Sequence, residues 1–187
     1  MSDQIRAFVA VDIPDDMRAR IDPILGDLRE MGSIVRPVRP ENLHFTVKFL
    51  GNVPSSILES VKSVLDECRP LLGFEVTVRG LGAFPNPRRP RVIWLGSESE
   101  DEKMVALLRD VDHRLSKIGF KKERSYVPHL TLARLKGRPG PSLVAFLEKM
   151  QDVEVGSFRV ASLKLKRSTL TPQGPIYSDL YEVSEGA

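Results

Sequence analysis

The sequence passes twice through the same order of predicted elements, and a proline-rich segment lies between the two passes. Each half predicts strand, helix, strand, helix and strand, and the second half adds one further strand. The segment 85–90 has three prolines in six residues, which is typical of a connection. Alternating strands and helices favour a layered α/β structure in which each half could form one lobe. We therefore predict a single two-lobed domain over residues 1–187, with pseudo-repeat halves at about 1–84 and 91–187 and 85–90 as linker.

The predicted elements follow from the spacing of apolar side chains, which alternates in strands and recurs every three or four residues in helices. The predicted strands cover residues 5–13, 43–50, 74–84, 91–95, 129–135, 153–165 and 176–183. The predicted helices cover residues 15–31, 57–71, 101–118 and 142–150. Apolar residues make up 41% of the chain and charged residues 28%, and charges interrupt every long apolar run. This composition predicts a globular fold and argues against both disorder and membrane-spanning helices.

The cysteine content and the N-terminal segment point to a compartment. The single cysteine, Cys68, excludes an internal disulfide framework and a zinc site built from several thiolates. The N-terminal segment carries charge throughout and lacks the apolar run of a signal peptide. We therefore expect a cytoplasmic protein that does not contact a membrane. Lys and Arg exceed Asp and Glu by three, a mild basic bias that permits an anionic partner.

Two of the three histidines stand at matching positions in the two halves. His44 and His129 lie 85 residues apart, and each opens a His-x-Thr segment in which x is apolar. Alternation along a strand places His44 and Thr46 on one face, and it does the same for His129 and Thr131. If the halves are related by a pseudo-two-fold axis, these two polar faces meet across a cleft.

Two imidazoles and two hydroxyls suit phosphoryl transfer without a metal ion. A neutral imidazole can take a proton from the attacking oxygen, and a charged one can give a proton to the leaving oxygen. The threonine hydroxyls would donate to the phosphoryl oxygens. His113 provides an internal contrast, because it lies on a predicted helix with no threonine two residues later.

Two other functions remain open at this point. The first is a non-catalytic RNA-binding protein that uses a basic cleft, and the second is a metal-dependent hydrolase with both histidines as ligands. The second is weakened because neither segment has Asp or Glu two residues after its histidine, where a further ligand would lie.

The same segments carry a resemblance to a known family. The chain resembles the 2′-5′ RNA ligase family, also named RNA 2′,3′-cyclic phosphodiesterases, within the two-histidine phosphoesterase superfamily. The similar segments are 42–51 (NLHFTVKFLG), 128–134 (PHLTLAR), 6–11 (RAFVAV), 167–170 (RSTL) and 174–177 (GPIY). The paired His-x-Thr signature is the specific part of the resemblance.

The resemblance implies a fold, a reaction and a role for each histidine. The implied fold is α+β and two-lobed, with antiparallel sheets facing a central cleft and helices outside. The implied substrate is RNA that ends in a 2′,3′-cyclic phosphate, which is hydrolysed to a 2′-phosphate without metal or other cofactor. His44 would donate a proton to the departing 3′ oxygen, His129 would accept one from water, and Thr46 and Thr131 would hold the phosphate. With a 5′-hydroxyl in place of water, the same site would join RNA ends. We expect a monomer.

Two cationic side chains next to the signatures complete the predicted substrate-binding set. Strict alternation puts Lys48 on the face of His44. The same alternation turns Arg134 away from the face of His129, so that only a bulge or a twist would bring it in. Three basic clusters in predicted connections are further candidates for gripping RNA: Arg88, Arg89 and Arg91; Lys121, Lys122 and Arg124; and Lys164, Lys166 and Arg167.

Overall fold

A computed structural model describes residues 3–186 of the chain. Within that range there are nine strands and four α-helices, joined in places by short 3₁₀ turns. The strands are β1 (Gln4–Asp12), β2 (Val35–Pro37), β3 (His44–Pro54), β4 (Phe74–Phe84), β5 (Val92–Glu98), β6 (His129–Leu135), β7 (Glu154–Val160), β8 (Ser162–Thr171) and β9 (Gly174–Ser184). The helices are α1 (Asp15–Glu30), α2 (Leu58–Glu67), α3 (Lys103–Lys117) and α4 (Pro141–Lys149).

The strands form one antiparallel sheet that divides into two lobes. The order is β7-β4-β5-β6-β3-β1-β8-β9, and the short β2 pairs with β6. At the centre, β3 and β6 are joined only through the pair Phe45 and Leu130. Four strands of this order lie on each side of the junction. All four helices contribute buried side chains to a hydrophobic core that they share with the sheet. The predicted α+β class with antiparallel strands is confirmed.

The two halves of the sequence exchange strands between the lobes. β4 belongs to the first half, yet it pairs with β5 and β7 of the second half. β8 and β9 belong to the second half, yet β8 pairs with β1. The expectation that each half forms its own lobe therefore differs from the observed pairing. The segment 85–91 is a short connection between β4 and β5, and strands joined by a short connection pair readily as antiparallel neighbours.

Most element boundaries fall close to the predicted ones, with one strand divided. The predicted strand 153–165 is two strands, β7 and β8, which break at Ala161 and lie at different places in the sheet order. β4 and β6 have the predicted bounds, and α1 continues through Pro23. Within residues 3–186, the structure has no helix long and apolar enough to cross a membrane.

Candidate active site

The site is built around the single residue pair that joins the two lobes. Phe45 of β3 and Leu130 of β6 are both fully buried, with 0% of their surface exposed. Their neighbours along each strand point to the opposite face and are partly exposed. Antiparallel register places Thr131 opposite His44 and His129 opposite Thr46. The structure therefore brings the two predicted histidines and the two predicted threonines together on one face.

Both imidazoles are held in the same orientation by the backbone. Nδ1 of His44 lies 2.7 Å from the carbonyl oxygen of Asn42, and Nδ1 of His129 lies 2.7 Å from that of Val127. A carbonyl oxygen can only accept, so Nδ1 carries the hydrogen in both rings. Nε2 of each neutral ring is then the basic nitrogen. The two histidines therefore have the same tautomer, and Nε2 of each ring is the nitrogen that can gain a proton and, once charged, give it up.

The hydroxyl of Thr46 is engaged with the first histidine. Thr46 Oγ1 lies 3.0 Å from Nε2 of His44, and in the neutral tautomer the hydroxyl donates to that nitrogen. The reacting nitrogen of His44 therefore lies within hydrogen-bonding distance of the predicted phosphate-binding group.

Aromatic rings flank both imidazoles and fix their positions. The centroids of Phe8 and Tyr177 lie 5.0 Å and 5.4 Å from that of His44. Phe84 meets His129 edge-on at 5.0 Å, and Trp94 lies 6.4 Å away. Such packing restricts rotation of each imidazole and removes part of its surface from water.

Burial and several nearby charged or polar groups act on the pKa of His44. Burial lowers the pKa of His44 below its ordinary value of 6.5, while the Asn42 carbonyl and the Asp12 carboxylate oppose the shift. Positive charge on Lys166 or on His129 lowers the pKa further. The charge of His129 therefore affects how readily His44 holds a proton.

A bulge interrupts the alternation of β3 just after Thr46. β1 pairs Val9 with Lys48 and Ala10 with Thr46, so that Val47 has no partner in β1. Lys48 is consequently turned to the helix-covered face, and its side chain is only 3% exposed. The expectation that Lys48 shares the face of His44 is not met, because strict alternation ends at the bulge.

Lys48 instead joins a buried polar network under the sheet. Its Nζ donates to Asp112 Oδ1 of α3 at 2.6 Å and to the carbonyl oxygen of Lys121 at 2.5 Å. Asp112 also accepts from the Tyr126 hydroxyl at 2.7 Å and from the backbone N–H of Glu123 at 3.1 Å. This network attaches the segment that leads into His129 to β3 and α3.

β6 has a bulge at the equivalent place, and it moves Arg134. β5 pairs Ile93 with Ala133 and Trp94 with Thr131, so that Leu132 has no partner in β5. Leu132 and Ala133 are both buried, and Arg134 is exposed. Burial raises the pKa of the Tyr177 hydroxyl, and the positive charge of Arg134 opposes that rise. The bulge therefore reverses the alternation before Arg134 and turns it toward the face of Thr131.

Three residues next to His44 were missed by the motif. Phe8 and Asp12 lie on β1, with Asp12 paired directly opposite His44, and Tyr177 lies on β9. Asn42, whose carbonyl orients His44, also donates through Nδ2 to the carbonyl oxygen of Pro175 at 3.0 Å, which ties the β8–β9 turn to the site. Asp12 had a signal in the sequence, since it is one of two charges that interrupt the apolar run of β1.

A metal site would need a cluster of suitable ligands. Within residues 3–186, no group of three or more His, Cys, Asp or Glu side chains is arranged to hold a metal ion. Apart from the Asp12 carboxylate, the side chains near the two imidazoles are aromatic rings, hydroxyls and cations. Hydroxyls and cations suit an anion better than a cation.

The comparisons with known proteins concern both the sequence and the fold. A family model described as LigT like Phosphoesterase matches the chain twice, at residues 11–94 and 95–177. An RNA 2′,3′-cyclic phosphodiesterase of Methanothermobacter thermautotrophicus is 46% identical over 179 residues, covering 95% of this chain and 97% of the relative. The enzyme of the same name from Archaeoglobus fulgidus is 40% identical over 176 residues, covering 94% of this chain and 98% of the relative.

Two crystal structures have the same fold. The structure of TT0787 from Thermus thermophilus superposes with a TM-score of 0.82 at 29% identity, covering 96% of this chain and 97% of that one. E. coli LigT complexed with 3′-AMP superposes with a TM-score of 0.76 at 24% identity, covering 99% of this chain and all of that one. The second likeness concerns the fold alone.

Proposed function

The chain belongs to the LigT-like phosphoesterase family, and on that premise we propose that His44 and His129 hydrolyse the 2′,3′-cyclic phosphate at the end of an RNA strand, without a metal ion, to a 2′-phosphate. The predicted family and the predicted enzyme class, an RNA 2′,3′-cyclic phosphodiesterase, are confirmed. One observation carries the proposed mechanism. Two imidazoles with the same tautomer lie on one face, on either side of the Phe45–Leu130 pair.

The proposed reaction moves one proton through each imidazole. Water attacks the phosphorus, and Nε2 of His129 takes the proton that the water loses. The bond from phosphorus to the 3′ oxygen breaks, and Nε2 of His44 gives that oxygen a proton. The phosphate stays on the 2′ oxygen, and solvent restores the two starting protonation states. With an RNA 5′-hydroxyl in place of water, the same steps form a 2′-5′ bond.

The lowered pKa of His44 affects how readily this proposed donor carries its proton. Because burial lowers the pKa of His44, fewer free enzyme molecules carry a proton on this ring at neutral pH than would with an ordinary histidine. Once protonated, however, it is a stronger acid than an ordinary histidine and a more effective donor. A bound phosphate anion next to the ring favours the charged form. Substrate binding therefore helps to place the proton on His44.

The proposed phosphate grip uses hydroxyls from both lobes and one guanidinium. Thr46 lies on β3 and Thr131 on β6, so the phosphate would bridge the lobes at their junction. The bulge of β6 supports Arg134 as the cation of this grip. Donors that are already in place stabilise charge as it develops on the phosphoryl oxygens.

The decisive experiment offers the enzyme an RNA oligonucleotide that ends in a 2′,3′-cyclic phosphate, with EDTA present throughout. We expect turnover to be unchanged by EDTA, because imidazoles and hydroxyls supply all of the chemistry. Chromatography against standards should identify a 2′-phosphate product. A 3′-phosphate would mean that the proton donor faces the other oxygen, and loss of activity in EDTA that a divalent ion restores would refute the metal-free mechanism.

Variants of the histidines provide the control for that experiment. His44→Ala and His129→Ala should each reduce kcat by about 10²–10⁴-fold while RNA binding persists. Their double variant should lose less than the product of the two effects, because the proton transfers act as a unit. His113 is exposed on α3, and His113→Ala should match the wild type. Full activity of both single variants would leave a binding groove as the better interpretation. A monomeric state and a cytoplasmic location stay predictions from the sequence.

A further inference from the structure

A basic cavity lies outside the pair of histidines, where the connection between β4 and β5 faces the segment that follows β6. Its volume is about 780 Å³. Five cationic residues line it, and we call this cavity the basic groove: Arg88, Arg89, Arg91, Lys136 and Arg138. The residues that line the groove include no Asp or Glu. The first of the three basic clusters in the sequence is thus joined by two further cations, which come from another connection.

The charges of the basic groove are not neutralised within the protein. Its five cationic residues are exposed, and none of them has a salt bridge to another residue in the range 3–186. The cluster on β8 behaves differently, since Lys164 and Lys166 each contact both Asp12 and Asp179 at 2.7–3.1 Å. Like charges that stand together without acidic partners form a site for an anion.

Hydrogen bonds to the backbone hold both sides of the basic groove. The side chain of Asn86 accepts from the backbone N–H groups of Arg88 and Arg89 at 3.1 Å and 3.0 Å, which fixes the turn that carries both arginines. The N–H of Leu135 donates to the carbonyl oxygen of Arg91 at 2.9 Å and joins the two sides of the groove.

The basic groove is connected to the active site along the chain. The N–H of Arg91 donates to the carbonyl oxygen of Phe84 at 2.7 Å, and the ring of Phe84 packs edge-on against His129. Leu135, which lines the groove, directly follows Arg134, and Pro141 and Val144 of α4 complete the lining. The two connections that carry the cations of the groove therefore start next to Phe84 and Arg134.

We propose that the basic groove binds the phosphate backbone of the RNA strand that leads to the cyclic phosphate. The inference rests on the proposed function and adds to it the residues that bind the strand, at a place outside the pair of histidines. A 2′,3′-cyclic phosphate occupies the last ribose, so the strand leaves the active site through its 5′ oxygen and continues along the groove. Arginine and lysine contact phosphates regardless of the base, so this grip tolerates different sequences.

The test compares two substrates and two matched variants. The substrates are a 2′,3′-cyclic mononucleotide and an RNA oligonucleotide with the same cyclic end. Arg88→Ala with Arg89→Ala should raise KM for the oligonucleotide about tenfold, leave its kcat unchanged and leave the mononucleotide unaffected. The control, Lys103→Ala with Lys117→Ala, removes the same charge from two exposed positions of α3 that do not line the groove, and it should behave as wild type.

A binding titration makes the groove testable independently of activity. Fluorescence anisotropy with a 2′-phosphate-ended RNA oligonucleotide should show weaker binding by the arginine variant. The slope of the logarithm of the binding constant against the logarithm of the salt concentration should become shallower by about 1.4 if two phosphate contacts are lost. Unchanged oligonucleotide binding and KM would overturn the groove, even with a fully active enzyme. Equal loss with the mononucleotide would also overturn it, because the arginines would then act at the reacting end. Inactivity of the wild type on both substrates would instead count against the proposed function.

Discussion

The two histidines share their backbone anchors but not their surroundings. Each ring gives its Nδ1 hydrogen to a carbonyl oxygen two residues earlier. His44 then lies against Phe8 and Tyr177 and opposite Asp12, with Lys166 nearby. The two equivalent motifs therefore place their imidazoles in different surroundings. Changing residues near His44 can then show whether His44 or His129 is the proton donor.

The pH dependence of the reaction should respond to two charges near His44. Burial lowers the pKa of His44, Asp12 raises it and Lys166 lowers it. If His44 is the proton donor, kcat/KM falls above that pKa, so Asp12→Asn should shift the alkaline limb to lower pH. Lys166→Met should shift the same limb to higher pH, because a nearby positive charge is removed. The measurement is kcat/KM of cyclic-ended RNA from pH 5 to 9.

The same profiles test the assignment of roles. A base is active only when deprotonated, so a shift confined to the acid limb would make His44 the proton acceptor. NMR titration of the His44 ring in each variant shows whether the pKa has moved. An unchanged profile together with a moved pKa would exclude His44 from the rate-determining proton transfers.

Arg134 gives a second prediction at the residue scale. Arg134→Ala should lower kcat/KM by about 10²-fold, since it removes a charge from the proposed phosphate grip. Arg134→Lys should recover part of the loss, because lysine keeps the charge but not the planar guanidinium. Steady-state kinetics decide this, with Arg109→Ala on α3 as a matched exposed control. Activity of Arg134→Ala close to that of the wild type would remove Arg134 from the site.

At the level of the elements, the sequence predicted the strands of the site but not their bulges. His44, Thr46, His129 and Thr131 were placed correctly on a shared face by simple alternation. Alternation fails one step later in both strands, because a bulge adds an unpaired residue and inverts every side chain after it. Lys48 is thereby buried. The residues Val47 and Leu132 are ordinary strand formers, so nothing in their chemistry marks the bulges.

The buried network around Lys48 yields a stability prediction. The Asp112 carboxylate accepts from Lys48, so Asp112→Ala would leave the Lys48 ammonium buried beside only a carbonyl and the exposed Glu123. We expect the free energy of unfolding to fall by about 3–5 kcal/mol, measured by urea denaturation. The double variant Lys48→Met with Asp112→Leu should recover much of the loss, because no unpaired charge then remains inside. A single variant as stable as the wild type would contradict the buried ion pair.

The order of strands in the sheet depends on pairing between distant segments of the chain, which local sequence patterns do not indicate. Short-range signals predicted the bounds of β4 and β6, yet the exchange of strands between the lobes also needs the pairs β4 with β7 and β1 with β8, whose members are far apart in sequence. The break at Ala161 did leave a trace in the sequence, since the buried apolar residues fall on even positions at Phe158 and Val160 but on odd positions at Leu163 and Leu165. The repeat boundaries and the linker at 85–90 stay predictions.

Strand exchange predicts that the two lobes unfold together and that a ligand at their junction stabilises both. A nucleoside 2′-phosphate, the product of the proposed reaction, would contact Thr46 in one lobe and Thr131 in the other. At 100 times its Kd it should stabilise the fold by about 2.7 kcal/mol, which raises Tm by about 5–10 °C in a chain of this size. Thermal unfolding followed by circular dichroism and calorimetry should show one transition that moves as a whole. Thr46→Val with Thr131→Val should lose most of the shift at the same concentration, and two separable transitions, only one of them moved by the ligand, would show that the lobes are independent.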